Sequence, residues 1–570
     1  MPEFEPQQVR SEAAAGPAGG VLMARALREN GVDTLFALCG GHILGLLDAC
    51  LDENIRVVDH RHEGAASLAA EGWALATGRT GVATVTAGPG FGNAMTGLMD
   101  AGMGNVPSVL IAGRTGLGQY GRGAVMDIDQ RAIATPATKW AATCYETHRI
   151  PGYIAEALHR ARAGCPGSVY LEVPQDVFMA NAAQTEPAAP VGFGAPGSPA
   201  PDPAALERAL DALARAERPI VIAGSGAFFS GATEDLLAFV EATGIPVTTT
   251  SGARGLLPDP HAACLGSMVH GGLAVSQSDV VLILGSAFNA NMLYGRPPLF
   301  GTGQTVIQVD IDATRLGGQR RPDVSIAGDV AVVLRALTAG WNGPSERGAW
   351  VEQAQGFASF GRASWDHQVD NHAGSKLHAG AVARDLAEFA RETGPHTFVA
   401  DGGDALTWGL AFAEVNGPGR LLSTTTALGT LGVGLPFSIA AAAARPDEPV
   451  FCFIGDGSFG LCAMEVDTAV RHGLPIITVV SNNGGWRDVS HEQDAWFGPG
   501  RTIASELGDS RYELIAEAFG GHGEVVSELD ELRPALKRCL DAGVASVINV
   551  RTDPAVLSEL LRNMGALGLM

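Results

Sequence analysis

The sequence predicts an α/β protein of three doubly wound parallel-sheet domains followed by a short C-terminal segment. Three observations predict it. The chain has 570 residues, and at about 150 residues per domain that length asks for three or four domains. Short apolar runs rich in Val and Ile alternate with longer helix-like ones, the pattern of strands and crossover helices in sheets covered on both faces. Hydrophobic residues make up 46% and charged residues only 17%, enough to fill several cores, and there are 75 glycines. That is roughly twice ordinary glycine usage, so backbone is expected to lie close to ligand or to other backbone at many turns.

Residues 1–18, rich in Pro, Glu and Gly, are expected to form a disordered tail. The first domain spans 19–181. Its helix GVLMARALRENG leads to the strand TLFAL, the turn Cys39-Gly40-Gly41-His42, the helix ILGLLDACLDE and the strand IRVVD. The helix EGAASLAAEGWALATG, the strand GVATVTA, a second glycine turn GPGFGN, another helix, and the strands SVLIAG and SVYLEVPQD complete it. Residues 182–204, rich in Pro, Gly and Ala, read as a linker. A central domain, 205–340, carries RPIVIAGSGA, IPVTTT, VVLILGS and TVIQVDID, and a polar second linker covers 341–374. The third domain, 375–552, contributes HTFVADG, PVFCFIGDG, PIITVVSNN and SVINVRT; it repeats the strand, glycine turn, helix grammar of the first, as a related domain would. Residues 553–570 end in VLSELLRNMGALGLM, apolar on one face and long enough to fold over a site as a lid.

Charge excludes one class of partner. Lys and Arg total 38 against 61 Asp and Glu, a formal charge of −23, which is the opposite of a nucleic-acid-binding footprint. An anionic ligand would need a local basic lining. No long apolar run is free of Gly or polar interruption, and the N-terminus lacks a basic start before an apolar core, so neither a membrane span nor a secretory signal is expected. The eight cysteines form no CxxC pair and lie mostly in apolar segments, the usage of a reduced, cytoplasmic protein.

The stretch richest in chemistry is Gly455-Asp456-Gly457-Ser458-Phe459-Gly460, with Asn483 following 27 residues after Asp456 in Ser481-Asn482-Asn483-Gly484-Gly485. The buried strand PVFCFI delivers Asp456 to its carboxyl end. The glycines let the amides of Gly457, Ser458 and Phe459 approach a phosphate at the helix start. A returning helix and the strand IITVVS bring Asn483 to the same sheet edge. Carboxylate, amide oxygen and loop carbonyl form a hard oxygen set suited to Mg²⁺.

These paired motifs resemble the signature of thiamine-diphosphate-dependent enzymes. The resemblance implies Asp456, Asn483 and the carbonyl of Gly485 as Mg²⁺ ligands, and it assigns the three domains to pyrimidine binding, a central role and diphosphate binding. It also implies partners in the first domain. Glu63, within Asp59-His60-Arg61-His62-Glu63-Gly64, falls where the family places the glutamate that activates the aminopyrimidine. Gly90 and Asn93, in Thr86-Ala87-Gly88-Pro89-Gly90-Phe91-Gly92-Asn93, fall on its pyrimidine loop. Leu431 matches the apolar wedge that bends the cofactor, with the carbonyl of Gly429 accepting from its amino group. Asp404, in Asp401-Gly402-Gly403-Asp404, is expected at the diphosphate. Family sites form between protomers, so a homodimer is the implied minimal unit and a homotetramer the implied assembly.

Within the superfamily, the segment SFGLCAMEVDTAVRHGLPI with NNGG resembles the 2-hydroxyacyl-CoA lyase and oxalyl-CoA decarboxylase branch, nearest to actinobacterial 2-hydroxyisobutyryl-CoA lyases. The implied reaction cleaves a 2-hydroxyacyl-CoA to formyl-CoA and a ketone or aldehyde through the cofactor's ylide, reversibly. His42 falls where related lyases hold a histidine near the reacting carbon. Val125 and Met126 fall in the segment where many relatives place a Gln, a Glu or a His-His pair; the missing His-His pair argues against a pyruvate-type 2-keto acid decarboxylase, and the apolar wall argues for a substrate with an alkyl or aryl portion. Glu492, just beyond the metal motif, is the expected base for the 2-hydroxyl, with His42 assisting. For CoA the candidate cations are Arg254, Arg320 and Arg321, with Arg315 nearby. ADP is a possible occupant of the central domain; no decisive FAD signal is present. Alternatives stay open: a benzaldehyde-lyase-like or acetolactate-synthase-like carboligase acting on free aldehydes or 2-keto acids, or an oxalyl-CoA decarboxylase.

Overall fold

A computed structural model describes residues 16–182, 192–194, 197–424 and 427–566. Residues 1–15 of the expected tail, 183–191 and 195–196 of the first linker, and 567–570 of the closing segment lie outside the described residues. The described chain forms three six-stranded sheets, every strand pair parallel, so the expected α/β class holds.

The first sheet contains β1 (Thr34–Ala37), β2 (Arg56–Asp59), β3 (Gly81–Val85), β4 (Ser108–Arg114), β5 (Trp140–Thr143) and β6 (Ser168–Pro174), in the order β2-β1-β3-β4-β6-β5. The second contains β7 (Pro219–Ala223), β8 (Val247–Thr249), β9 (Cys264–Ser267), β10 (Val280–Leu284), β11 (Thr305–Asp310) and β12 (Val324–Ala327), ordered β12-β11-β10-β7-β8-β9. The third contains β13 (Thr397–Asp401), β14 (Leu421–Ser423), β15 (Val450–Gly455), β16 (Ile476–Asn482), β17 (His522–Val526) and β18 (Ser546–Arg551), ordered β14-β13-β15-β16-β18-β17. Counted from its own first strand, the third sheet repeats the order of the first, which is the shared grammar expected from the sequence.

The order decides where ligands can go. In open parallel sheets, ligands bind beyond the carboxyl ends of strands where the winding direction reverses. That reversal lies between β1 and β3 in the first sheet and between β13 and β15 in the third. The turns leaving these four strands are the glycine turns at 40–42, 88–92, 402–403 and 455–457.

Continuous apolar runs become strands because both sheet faces are covered. In the second sheet, Ile220, Ile222, Val281 and Ile283 enter one core while Val221, Ala223, Leu282 and Leu284 enter another. The chain divides into two compact units, one carrying the first sheet and the other carrying the second and third. No helix among the described residues is long and apolar enough to cross a membrane.

Candidate active site

Each unit presents a group of polar residues at its reversal point. In the first, β2 ends directly before the helix Glu63–Thr77, which places Glu63 in the first helical turn with 8% of its surface exposed. Asn93 Nδ2 donates to Glu63 Oε2 at 2.9 Å. A Cβ on Gly90 would lie 2.8 Å from Thr86 Cγ2 and 3.4 Å from Glu63 Oε1, so only glycine leaves this space beside the carboxylate. Glu63, Gly90 and Asn93, distant in sequence, are thereby brought together, and the cradle fits a flat heterocycle that donates to a carboxylate. His42 Nδ1 pairs with Thr86 Oγ1 at 3.0 Å, which fixes the ring, and burial lowers its pKa so that the neutral imidazole is favoured.

Met126 takes a left-handed backbone (φ 63°), and its Cβ would be 2.9 Å from a Cβ on Gly88, so it packs on the turn at Gly88. Val125 instead projects outward, 81% exposed. Sequence reasoning passed over what holds that turn. Gln130 is fully buried, accepts from the Gly88 amide at 2.7 Å and donates to Gly113 O at 3.0 Å and Tyr170 Oη at 2.9 Å. Behind it Glu172, also fully buried, accepts from Arg114 at 2.6 Å and Thr143 at 2.7 Å. The available signal was a glutamate inside the apolar strand SVYLEVP.

In the other unit, Asp456 opens the helix Asp456–Cys462 beyond β15 and is 2% exposed. Its Oδ1 accepts from Gly457 N at 2.9 Å and its Oδ2 from Gly485 N at 3.0 Å, so the two motif loops are tied through this carboxylate. Burial pushes its pKa up to about 6, outweighing the backbone amides and the nearby Arg487 charge, which lower it. Asn483 Oδ1 is buried and has no hydrogen-bond partner among the described residues. An orphaned amide oxygen beside an acidic group and loop carbonyls fits a hard cation such as Mg²⁺. The Gly485 carbonyl accepts from Arg487 N at 3.0 Å and keeps a second lone pair.

Glycine at 457 is required by packing: a Cβ there would lie 2.6 Å from the Trp486 ring. The Phe459 side chain is fully buried against Tyr512, so it can offer a ligand only its backbone. Asp401 is fully buried; its Oδ2 accepts from the amide of Gly434 at 2.8 Å, while its Oδ1 has no hydrogen-bond partner among the described residues. Asp401 thus ties the end of β13 to the start of the helix Gly434–Ala444. Arg487, not singled out from sequence, donates to Asn483 O and Gly484 O, both at 3.1 Å, and forms a two-toothed pair with Glu506 at 2.7 and 2.8 Å. Leu431 is half-buried, and Gly429 lies exposed with a left-handed φ of 74°.

The helix Arg487–Phe497 follows the Asn483-Gly484-Gly485 loop and carries Asp488 and Glu492 one turn apart. Glu492 is half-buried. Burial, then the nearby Asp404 and Glu492 charges, push Asp488 up to about 6.

Three expectations need correction. The Asp404 carboxylate does not face a diphosphate: Oδ1 accepts from Ser558 N at 2.8 Å and Oδ2 from Trp408 Nε1 at 2.7 Å. Arg254 is 4% exposed and pairs with Asp259 at 2.6 Å, so it lies inside the fold. Arg320 donates to Gly295 O and Gln304 O at 3.2 and 3.0 Å, a backbone role. Arg321 remains exposed. In the central domain, Gly224 and Gly226 are required by the Gly285 backbone, which a Cβ at either would meet within 2.8 Å, so their presence needs no nucleotide.

Comparison with known proteins agrees with this geometry. Residues 18–133 match the N-terminal TPP binding domain of thiamine pyrophosphate enzymes, 206–337 the central domain and 401–550 the C-terminal TPP binding domain. An acetolactate synthase large subunit of Mycobacterium tuberculosis is 34% identical over 94% of this chain and 96% of its own length. A human protein named 2-hydroxyacyl-CoA lyase 2 is 31% identical over 94% of this chain and 90% of its own, and a 2-hydroxyacyl-CoA lyase of Arabidopsis thaliana is 31% identical over 95% and 96%. With a glutamate cradle at one reversal point, an orphaned amide oxygen at the other and family models matched in all three domains, this chain belongs to the thiamine pyrophosphate enzyme family.

Proposed function

We propose that the protein is a carbon–carbon lyase that cleaves a 2-hydroxyacyl-CoA, such as 2-hydroxyisobutyryl-CoA, to formyl-CoA and a ketone or aldehyde. The observation that carries this reading is the acid-bearing helix Arg487–Phe497, which places Asp488 and Glu492 one turn apart directly after the metal loop. Cleavage of a 2-hydroxyacyl thioester requires a base for the hydroxyl proton. Pyruvate chemistry in a carboligase has no such proton to remove in its first half.

Asp456, Asn483 and the Gly485 carbonyl would hold Mg²⁺, the 457–459 amides would meet the diphosphate, and Glu63 would meet the pyrimidine. Bound thiamine diphosphate supplies a nucleophilic carbon and an electron sink for the carbon left by C–C cleavage. Glu492 takes the proton from the 2-hydroxyl oxygen as the C1–C2 bond breaks, and a proton returned to C1 completes formyl-CoA, so no proton is gained or lost overall. His42, neutral and oriented by Thr86, stabilises the departing carbonyl oxygen by hydrogen bonding. The C-terminal segment would exclude water from the reacting carbon. The two half-sites lie on separate compact units, and the reading includes at least a homodimer as the active unit, checked by light scattering.

Incubating the enzyme with thiamine diphosphate, Mg²⁺ and either 2-hydroxyisobutyryl-CoA or pyruvate tests the assignment. Formyl-CoA and acetone from the first are expected. Acetolactate from the second, with no thioester cleavage, would move the protein to the carboligase activity of its acetolactate synthase relatives. Glu492→Gln is expected to slow cleavage by about a hundredfold or more, the usual weight of a positioned base; an unchanged rate removes Glu492 from this role.

A further inference from the structure

Asp404 stands one residue beyond the turn Gly402-Gly403. A Cβ on Gly402 (φ 117°) would be 3.4 Å from Gly455 N and 3.5 Å from Ser458 Oγ, so this turn lies against the Asp456 motif. Its carboxylate nevertheless points to the end of the chain. Ser558 is fully buried and caps the last helix, Glu559–Ala566: its Oγ accepts from Leu561 N at 3.5 Å and its carbonyl from Arg562 N at 3.1 Å. Asp404 Oδ1 accepts the Ser558 amide at 2.8 Å, and Thr407 Oγ1 pairs with Ser558 Oγ at 3.0 Å.

Other bonds fix the segment that leads there. Thr552 N donates to Asn482 O at 3.0 Å, and Ser481 and Thr552 hydroxyls pair at 3.1 Å, beside the metal-loop Asn483. His491 Nε2 pairs with Pro554 O at 3.1 Å from the helix that carries Glu492. Glu559 N donates to Gln368 Oε1 at 2.9 Å. The chain end is therefore tied to the carboxyl end of β16, to the acid-bearing helix and to the turn after β13, three elements that also carry candidate site residues.

We propose that Asp404 is a positioning residue that pins the C-terminal helix through the Ser558 amide and couples its order to occupancy of the diphosphate turn. The coupling runs through one short rigid path: a phosphate seated on the 456–459 amides steadies the Gly402-Gly403 turn, and that turn fixes the carboxylate that holds Ser558. The inference rests on the lyase reading only in giving the tail a site to cover; pinning and coupling need no substrate.

Hydrogen exchange of the full-length protein, read by mass spectrometry with and without thiamine diphosphate and Mg²⁺, tests it alongside calorimetric cofactor titration. In the unaltered protein the cofactor is expected to slow exchange across 556–563. Asp404→Ala, which removes the acceptor, and independently Ser558→Pro, which removes the amide donor together with the hydroxyl that caps Leu561 and pairs with Thr407, are expected to speed exchange there by about tenfold or more, one hydrogen bond being worth about that. Both should abolish the response to cofactor while leaving its affinity essentially unchanged. A loss of cofactor affinity in Asp404→Ala with the tail still protected would return Asp404 to the cofactor, and unaltered tail exchange in Ser558→Pro would overturn the pin. Neither outcome bears on which substrate is cleaved.

Discussion

Arg487 shows how much of the proposed Mg²⁺ site is built one layer back from the residues that would ligate the ion. Its guanidinium is bound to the carbonyls of Asn483 and Gly484 and to the Glu506 carboxylate, so its charge orients the loop that presents Asn483 Oδ1. Residues that hold metal ligands in place commonly govern ten- to hundredfold in affinity. Arg487→Ala is therefore expected to weaken Mg²⁺ binding by about tenfold or more, measured as the Mg²⁺ concentration needed for half-maximal activity at saturating thiamine diphosphate. Arg487→Lys, which cannot span two carbonyls and a carboxylate with a planar fork, should recover little of it. Gly90→Ala belongs to the same scale. A methyl placed 2.8 Å from Thr86 Cγ2 and 3.4 Å from Glu63 Oε1 fills the cradle, so cofactor affinity should fall while the metal-loop unit stays folded; calorimetry against the unaltered protein checks it.

Between elements, the helices Glu63–Thr77 and Pro89–Gly104 meet through an acid pair. Glu71 and Asp100 are both fully buried, and none of their four carboxylate oxygens has a donor partner among the described residues. Burial and the Asp100 charge hold Glu71 well above the usual carboxylate range, and burial pushes Asp100 up to about 6, so the fold favours the protonated forms. Both folded values are raised above the unfolded ones. Stability tied to these protons is fully present near pH 4 and is lost as pH rises through about 6 and beyond, by at most about 1.4 kcal/mol per pH unit for each proton. Glu71→Gln keeps a donor for Asp100 and removes one titration. Its stability relative to the unaltered protein should rise steadily from pH 5 to pH 8 in denaturant melts; a constant offset would show that the pair does not titrate in this range. The pair also marks where sequence reading stops. The motif loops were legible because each is set by neighbouring residues: a strand, a glycine turn and a helix start. Side-chain partners were not. Asp404 looked like a diphosphate group because it follows two glycines, yet its partner Ser558 lies 154 residues away. Gln130 likewise meets the Gly88 amide only through the fold. Arg254 looked like a surface cation until burial paired it with Asp259.

At the scale of the whole molecule, two sheets share one strand order and each carries a group of candidate site residues at its reversal point, while the formal net charge of the chain is −23. That charge bears directly on an acyl-CoA substrate, which is polyanionic. Of the three arginines expected to line its nucleotide, Arg254 is inside the fold and Arg320 is engaged with backbone carbonyls, which leaves Arg321 to offset a field of the wrong sign. A negative protein repels a negative substrate over distances comparable with the Debye length, about 10 Å at 0.1 M salt and about 30 Å at 0.01 M. Added salt therefore removes a penalty rather than an attraction. The expected result is a kcat/KM for the acyl-CoA that rises severalfold from low to physiological ionic strength, while that for a truncated, uncharged pantetheine thioester stays flat. A fall with salt would mean that a local basic cluster dominates the approach, and charge reversal at Arg315 and Arg321 would then locate it.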